Sequence, residues 1–310
     1  MKEKITLDMI QQMELPPIIL WASPIMVSLV LIEWYLITKK KGWKYDGKDS
    51  FAAALVGIGN LITSAITKLG MFAVILFFYN LVPWSIPHTW WSYVLCIIVL
   101  DFCRYWAHRI AHEQRFWWST HVTHHSSEQY NWTVSFRLSW FQQIKVVFFI
   151  PAALMGFDPF VFFICHQIEV LYQFWIHTEL ITKLPRPIEY IFTTPSHHRV
   201  HHARNERYLD KNYGSTFIIW DRMFGTFQAE DEKPEYGILH PVNSYNPVKL
   251  VFHELVDLVK DVWNAKSMRE RWYIMFGSPN QLLEKYERTS VSGPIDENKP
   301  IVQEPVEEEV

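Results

Sequence analysis

Histidine is the residue type whose number and spacing in this sequence point most clearly to chemistry. Eleven of the 14 histidines lie between residues 108 and 202. Eight of them form one HxxxH and two HxxHH motifs: His108 and His112; His121, His124 and His125; His198, His201 and His202. Residues three or four apart share one face of a helix, so each motif turns its imidazoles in a similar direction. Imidazole is a common metal ligand, and eight exceed what one four-coordinate ion requires. The spacing therefore predicts two metal ions.

The elements that must position these motifs are predicted to be membrane helices. Each of four apolar stretches contains at most one charged residue: Ile18–Ile37, Leu69–Pro87, Thr89–Leu100 and Val146–Ile168. A helix needs roughly 20 apolar residues to cross a bilayer core of about 30 Å, and Trp and Tyr, which favour membrane interfaces, lie at the ends of these stretches. We predict an all-α, polytopic integral membrane protein with a His-rich di-metal cap.

Two features of this helical region are less regular. The segment 51–68 is weakly apolar, and the sequence does not decide between an interfacial helix and part of a re-entrant helix. Gly156–Pro159 interrupts the last apolar stretch with residues that favour turns. We expect a hairpin of two short helices around it.

Composition excludes several classes of protein. Hydrophobic residues make up 49% and aromatic residues 16%, so the chain is neither disordered nor fibrous. A net charge of −3 gives no reason to expect a nucleic-acid partner. The three cysteines lie in apolar stretches without a CxxC pair, which predicts neither a disulfide scaffold nor a zinc ribbon.

The distribution of Lys and Arg predicts the orientation in the membrane. Five lysines lie between residues 39 and 48, and the segments 103–145 and 183–222 are also rich in Lys and Arg. The turns 84–91 and 156–159 contain neither. By the positive-inside rule, all three histidine motifs lie on the cytoplasmic face and the two turns lie outside.

We divide the chain into four regions: an N-terminal transmembrane region (1–88), a catalytic domain (89–245), an amphipathic helical segment (246–288) and an acidic tail (289–310). Asn246-Pro247 is a helix start signal, and apolar residues recur at helical spacing as far as Val262. We interpret this apolar face as packing against the cytoplasmic body, with contact to the membrane as the alternative. The tail is rich in Pro and Glu and is predicted to be disordered.

The order HxxxH, HxxHH, HxxHH is similar to that of the fatty acid hydroxylase/sterol desaturase superfamily of membrane di-iron oxygenases. HVTHHSSEQYNWTVSFR, LYQFWIHTEL, TPSHHRVHHARN, DKNYG and IIWDRMFGTFQAE most resemble its ether-lipid-cleaving branch, the alkylglycerol monooxygenases. The resemblance covers roughly residues 90–245. It implies two non-haem iron ions, dioxygen, a membrane lipid substrate, and tetrahydrobiopterin or another external electron donor. Imidazole ligands alone would also suit zinc, copper or nickel.

The resemblance adds candidate ligands. Relatives that hydroxylate sphingolipid acyl chains have a further HxxxH before the last motif; here its second position is His177, and Gln173 replaces the first. This replacement implies looser or water-completed coordination. His197 adjoins the last motif and is a further candidate, either as a ligand or as a supporting residue.

Two acids are expected to support the ligands. Asp101 lies seven residues before His108 on the same helix face, where its carboxylate could accept an imidazole N–H. Asp221, within WDRMFGTF, is a signature acid of the family and could do the same. For each, a salt bridge with a neighbouring arginine is the alternative.

Glu113 is a candidate for cofactor binding. It directly follows His112, so on a helix it points about 100° away and borders the site without ligating. A carboxylate there could bind the amino and N–H groups of a pterin ring, although a salt bridge is again the alternative. The sequence contains no GxGxxG, CxxCH or ferredoxin cysteine pattern, so we expect its electrons to come from an external donor.

The resemblance thus implies an O2-dependent lipid monooxygenase that hydroxylates a C–H bond. In the ether-cleaving case that bond lies next to the ether oxygen. Hydroxylation or desaturation of an acyl chain or a sterol on the same motifs is the alternative. A haem electron-transfer protein and a zinc hydrolase are alternatives from other classes, although haem needs single histidines on separate helices rather than HxxHH. The sequence does not predict the oligomeric state.

Overall fold

The computed structural model describes residues 4–12, 14–41, 44–280 and 282, and these are mostly helical. The α-helices are α1 (Leu7–Gln12), α2 (Ile18–Lys39), α3 (Gly47–Leu81), α4 (Trp90–Glu113), α5 (Arg115–Trp118), α6 (Val122–His125), α7 (Ile150–Leu154), α8 (Pro159–Trp175), α9 (Arg186–Ile191), α10 (Pro195–His201), α11 (Ile219–Phe224), α12 (Pro247–Asn264) and α13 (Met268–Phe276). Short 3-10 helices cover Trp132–Phe136, Gln142–Phe149 and Glu206–Tyr208. Within the described ranges, β-structure is limited to isolated bridges, so the all-α prediction is confirmed. The predicted acidic tail lies outside these ranges.

Helices α2 and α3 are long and apolar enough to cross a membrane. They contain 22 and 35 residues. At a rise of 1.5 Å per residue they measure about 33 and 52 Å, against a bilayer core of about 30 Å. In their most apolar windows only 6% and 17% of the residues are buried, as expected for helices that face lipid.

The segment 51–68, which the sequence did not assign, is part of helix α3. Residues 51–68 continue without a break into the following apolar stretch. The helix ends at Leu81, earlier than the predicted boundary at Pro87. Val82 is extended (φ −95°, ψ 140°) because the residue before a proline, here Pro83, disfavours the α conformation.

The predicted turn at 156–159 is present, but its two arms differ. Gly156 has φ +83°, which glycine adopts without strain, and the Asp158 carboxylate accepts the Phe160 N–H at 2.8 Å to cap α8. The first arm was expected to be one helix and is instead a 3-10 helix (Gln142–Phe149) followed by α7. Pro151 at the start of α7 lacks the N–H that would continue the preceding hydrogen-bond ladder.

Helix α4 connects the apolar region to the histidines. Cys96, Leu100 and Cys103 from its middle part are buried in an apolar core together with Phe162 and Cys165 of α8. The last two turns of the same helix carry His108 and His112. One continuous element therefore fixes the first motif relative to the helices that are predicted to lie in the membrane.

Candidate metal centre

Nine histidines converge into two groups. Within each group, one ring nitrogen of every histidine lies within 4.8 Å of the others. The first group comprises His108, His112, His121, His125 and His201; the second comprises His124, His177, His198 and His202. Nitrogens bound to one ion at about 2.1 Å are at most about 4.2 Å apart, so small adjustments would close either group on a metal.

The two HxxHH motifs each contribute to both groups. In the first of them the outer pair, His121 and His125, belongs to the first group, and His124 belongs to the second. In the last motif the outer pair, His198 and His202, belongs to the second group, and His201 belongs to the first. Adjacent residues on a helix point about 100° apart, which explains how one motif can serve two neighbouring ions.

The ring nitrogens that approach one another are the Nε2 atoms. In the first group, His121 Nε2 lies 2.8 Å from His108 Nε2 and 3.3 Å from His125 Nε2. In the second group, His177 Nε2 lies 3.1 Å from His124 Nε2 and 2.9 Å from His198 Nε2. Each group therefore presents several nitrogens towards one point.

Backbone carbonyls occupy the opposite ring nitrogen in three of these side chains. His108 Nδ1 donates to Tyr213 O at 2.8 Å, His177 Nδ1 to Gln173 O at 2.7 Å, and His201 Nδ1 to Lys211 O at 3.0 Å. A proton held on Nδ1 leaves the Nε2 lone pair free to bind a metal. The fold thus fixes the tautomer that a metal ligand requires.

Buried nitrogens without partners support the same interpretation. Nε2 of His112 and Nε2 of His201 are buried and make no hydrogen bond. Burial lowers the pKa of His201 to about 4 and that of His177 to about 3. Both imidazoles are therefore neutral at neutral pH, the form that binds metals. The donor set fits a centre rich in histidine.

The buried acids Asp101 and Asp221 accept hydrogen bonds from backbone N–H groups rather than from imidazoles. Asp101 accepts the N–H groups of Thr216 and Phe217 at 2.7 and 3.1 Å. Asp221 accepts the N–H groups of Tyr213 and Gly214 at 2.8 and 2.7 Å. For each acid the sequence left open a hydrogen bond to an imidazole or a salt bridge with a neighbouring arginine. Instead they fix the segment around 213–217, and the carbonyl of Tyr213 in that segment accepts the bond from His108. Asp101 and Asp221 thus act on the first group indirectly.

Gly214 is required by this close packing. A Cβ atom at this position would lie 2.6 Å from Phe217 O and 2.8 Å from Asp221 Oδ2. The glycine in DKNYG therefore lets the Asp221 carboxylate approach the backbone closely enough to receive two N–H groups.

Three other predicted residues lie outside both groups. His197 contacts Glu189 through Nε2 at 3.0 Å and receives the Thr194 N–H at Nδ1, so both ring nitrogens are occupied. The side chain of Gln173 donates to a backbone carbonyl within α8. Glu113 forms a salt bridge of 2.8 Å with Arg109 and is 44% exposed. The alternative salt bridge is therefore present for Glu113.

Two supporting residues were missed by the sequence analysis. Arg199, between His198 and Val200, binds Glu230 at 2.6 Å and donates to the carbonyl of Thr178, next to His177. Glu33 of α2 is buried, and its carboxylate accepts bonds from the Trp132 N–H and the Thr178 hydroxyl. The sequence could have indicated a role for Glu33, because it is the one charged residue in the apolar stretch Ile18–Ile37.

The chain is similar to known lipid-modifying enzymes over most of its length. The family model for fatty acid hydroxylase matches residues 93–226, which contain all nine histidines. Alkylglycerol monooxygenase of Homo sapiens is 40% identical over 86% of this chain and 60% of its own length. The Xenopus tropicalis protein of the same name is 46% identical over 64% of this chain and 43% of its own length.

A bacterial relative extends the comparison. Ornithine lipid hydroxylase OlsE of Rhizobium tropici is 31% identical over 46% of this chain and 44% of its own length. The chain spans 60% or less of the length of these relatives. No solved structure matches it significantly. Over residues 93–226, which carry the converging histidines, the chain is therefore similar to the fatty acid hydroxylase family.

Proposed function

We propose that this protein is a membrane monooxygenase that hydroxylates a lipid C–H bond with dioxygen. The observation that carries the proposal is the convergence of five and four imidazoles at the end of a helix that leads out of an apolar core. Histidine-only donor sets bind iron among other metals, and the relatives are named as monooxygenases and hydroxylases. We propose iron, with one ion in each group.

The roles of the chain's own residues follow from their contacts. Two iron ions would supply the activation of dioxygen and the attack on the C–H bond. The backbone carbonyls at residues 173, 211 and 213 orient the ligands. The buried ring of Tyr130, 5.2 Å from the His202 ring, covers one side of the second group and keeps water from it.

The proposed substrate is an alkylglycerol, an ether lipid. The support is the similarity to two alkylglycerol monooxygenases, one of which aligns with 86% of the chain. Hydroxylation of the carbon next to the ether oxygen gives a hemiacetal, which collapses to a fatty aldehyde and glycerol. An oxygen atom from dioxygen then resides in the aldehyde, and the ether oxygen remains on glycerol.

Oxygen-18 labelling tests this function. Membranes containing the protein, given an alkylglycerol, a reductant and 18O2, are expected to form labelled aldehyde, trapped by reduction to the alcohol before it exchanges with water. Membranes with His124→Ala serve as the control. A label in an acyl-chain hydroxyl, with the ether intact, would support the acyl-chain alternative. Product without label would contradict a monooxygenase.

We also propose that the chain crosses the membrane several times with both histidine groups on the cytoplasmic side. The support is the distribution of Lys and Arg and the two long apolar helices. Single cysteines at the exposed positions Glu128 and Glu206 are expected to react with an impermeant maleimide in inverted vesicles.

A third cysteine, at the exposed Ser85, is expected to react in right-side-out vesicles. The three native cysteines are buried and should give little background. Reaction of positions 128 and 206 from opposite sides would disprove the arrangement.

A further inference from the structure

Helix α12 has three different faces. Leu250, Val251 and Leu258 are buried against the rest of the protein. On the same side, Glu254 and Asp261 bind Arg115 of α5 at 2.7 and 2.6 Å. The sequence pattern predicted that the apolar residues of this helix pack against the cytoplasmic body. The buried face accounts for only some of them.

A second apolar stripe on α12 is left exposed. Val248, Val256, Val259 and Trp263 are 53%, 45%, 58% and 83% exposed. At 100° per residue these four positions fall within an arc of about 80°, beside the buried face. Helix α13 extends the surface with the exposed Met268 and Trp272, 65% and 62%. A groove of about 570 Å³ runs along it, lined by Phe116, Leu255, Val262 and Met275 among others.

Helix α12, which carries this stripe, adjoins a helix that is predicted to face lipid. Leu250 and Val251 of α12 pack against Ala52 and Val56, in the first three turns of α3. The same part of α3 exposes Phe51, which is 66% exposed. Helix α12 therefore lies beside the N-terminal end of a helix that is long enough to cross a membrane, at the level where such a helix leaves the bilayer.

The charges next to the stripe are mainly positive. Lys249 and Lys260 lie on the third face of α12, next to Val256, and are exposed; Lys260 also contacts Asp257 at 3.2 Å. Lys266 and Arg269 lie beside Trp263 and Met268 in the connection to α13 and are exposed as well. An apolar stripe containing Trp, flanked by Lys and Arg, is the pattern of a helix that lies in a membrane interface.

We propose that α12 and α13 dock on the membrane, with the exposed stripe in the acyl-chain boundary of one leaflet and the flanking cations on its anionic headgroups. Lipid chains rather than another protein fill the groove, because α12 packs beside α3, which is predicted to face lipid, and the cations beside the stripe match anionic lipids. This proposal rests on the membrane location and does not depend on the proposed oxygenase activity.

The contact would anchor the metal centre to the surface of the bilayer. Arg115 clamps α12 to α5. Trp118 at the other end of α5 packs against the rings of His112 and His125, at 5.0 and 5.5 Å. Docking of α12 therefore holds the first histidine group at a fixed distance from the lipid.

Depth-dependent quenching tests the proposal on the full-length protein in nanodiscs of phosphatidylcholine and phosphatidylglycerol. Val259→Cys and the adjacent Lys260→Cys are matched positions on different faces, each labelled with bimane. Lipids with a doxyl group on the acyl chain are expected to quench the label at 259 several-fold more than the label at 260. Aqueous iodide should show the reverse order. Trp263→Cys provides a second reporter on the stripe and is expected to follow 259.

Two results would overturn the proposal. Equal quenching of positions 259 and 260 by iodide, with no effect of doxyl lipid on either, would place the stripe in water. Efficient disulfide formation between two unlabelled copies of the Val259→Cys variant would make the stripe a protein–protein interface. Both readouts are independent of enzyme activity, so loss of the proposed function would leave them unchanged.

Discussion

Replacing His124 or His201 by alanine is expected to abolish lipid oxidation and to lower bound iron. The two residues belong to different groups, so each substitution removes a ligand from one of the two proposed ions. Loss of a residue that only supports a ligand typically weakens a metal site about 10–100-fold, and loss of a ligand itself should exceed that. Iron content per chain and the rate of product formation in purified protein measure the two effects.

His197→Ala is the matched control for this experiment. His197 lies on α10 beside His198 but contacts Glu189 and Thr194 rather than either group. We expect it to retain its iron, although loss of the Glu189 contact will weaken the packing of α9. Full activity after substitution of His124 or His201 would refute the assignment. Loss of iron in His197→Ala as great as in His201→Ala would make His197 a ligand.

The sequence predicted the eight motif histidines because helical spacing by itself determines which side chains share a face. His177 was found only through the resemblance to related enzymes, since one histidine at the end of an apolar arm has no local pattern. The division into two groups could not be predicted. It depends on how α10 approaches α4 and α6 in three dimensions, which brings His201 to His108 of α4 while its neighbour His202 faces His124 of α6.

Residue spacing did not predict the hydrogen-bond partners of the two supporting acids. The spacing of Asp101 and His108 suggested an imidazole as the partner of this acid, with an arginine as the alternative. In the structure its carboxylate instead accepts the backbone N–H groups of residues 216 and 217, which are more than 100 residues away in the sequence. Contacts between residues so far apart in the sequence leave no periodic pattern in it. The sequence also did not predict that part of the apolar surface of α12 is exposed, because periodicity shows that a face is apolar without showing what covers it.

Glu113→Gln is expected to raise the concentration of reduced pterin needed for half-maximal activity and to leave the iron content unchanged. The carboxylate lies at the end of α4, one residue beyond His112 and outside both groups. It is half-exposed, so a polar ring could reach it from the aqueous side. A hydrogen bond to a charged group contributes about 1.5–3 kcal/mol, which corresponds to roughly 10–100-fold in the required concentration. Activity as a function of tetrahydrobiopterin, with iron measured on the same samples, gives both quantities.

The salt bridge with Arg109 requires its own control, because Glu113→Gln also breaks that pair. Arg109→Gln breaks the same salt bridge and keeps the carboxylate. If the carboxylate itself binds the pterin, Arg109→Gln will change the pterin requirement much less than Glu113→Gln does. Equal shifts in the two variants would show that the pair acts by fixing the end of α4. Parallel loss of iron and activity in Glu113→Gln would mean that it supports the ligands. Activity that ignores added pterin and returns with a ferredoxin system would exclude pterin as the electron donor, because two electrons per turnover would then come from the other source.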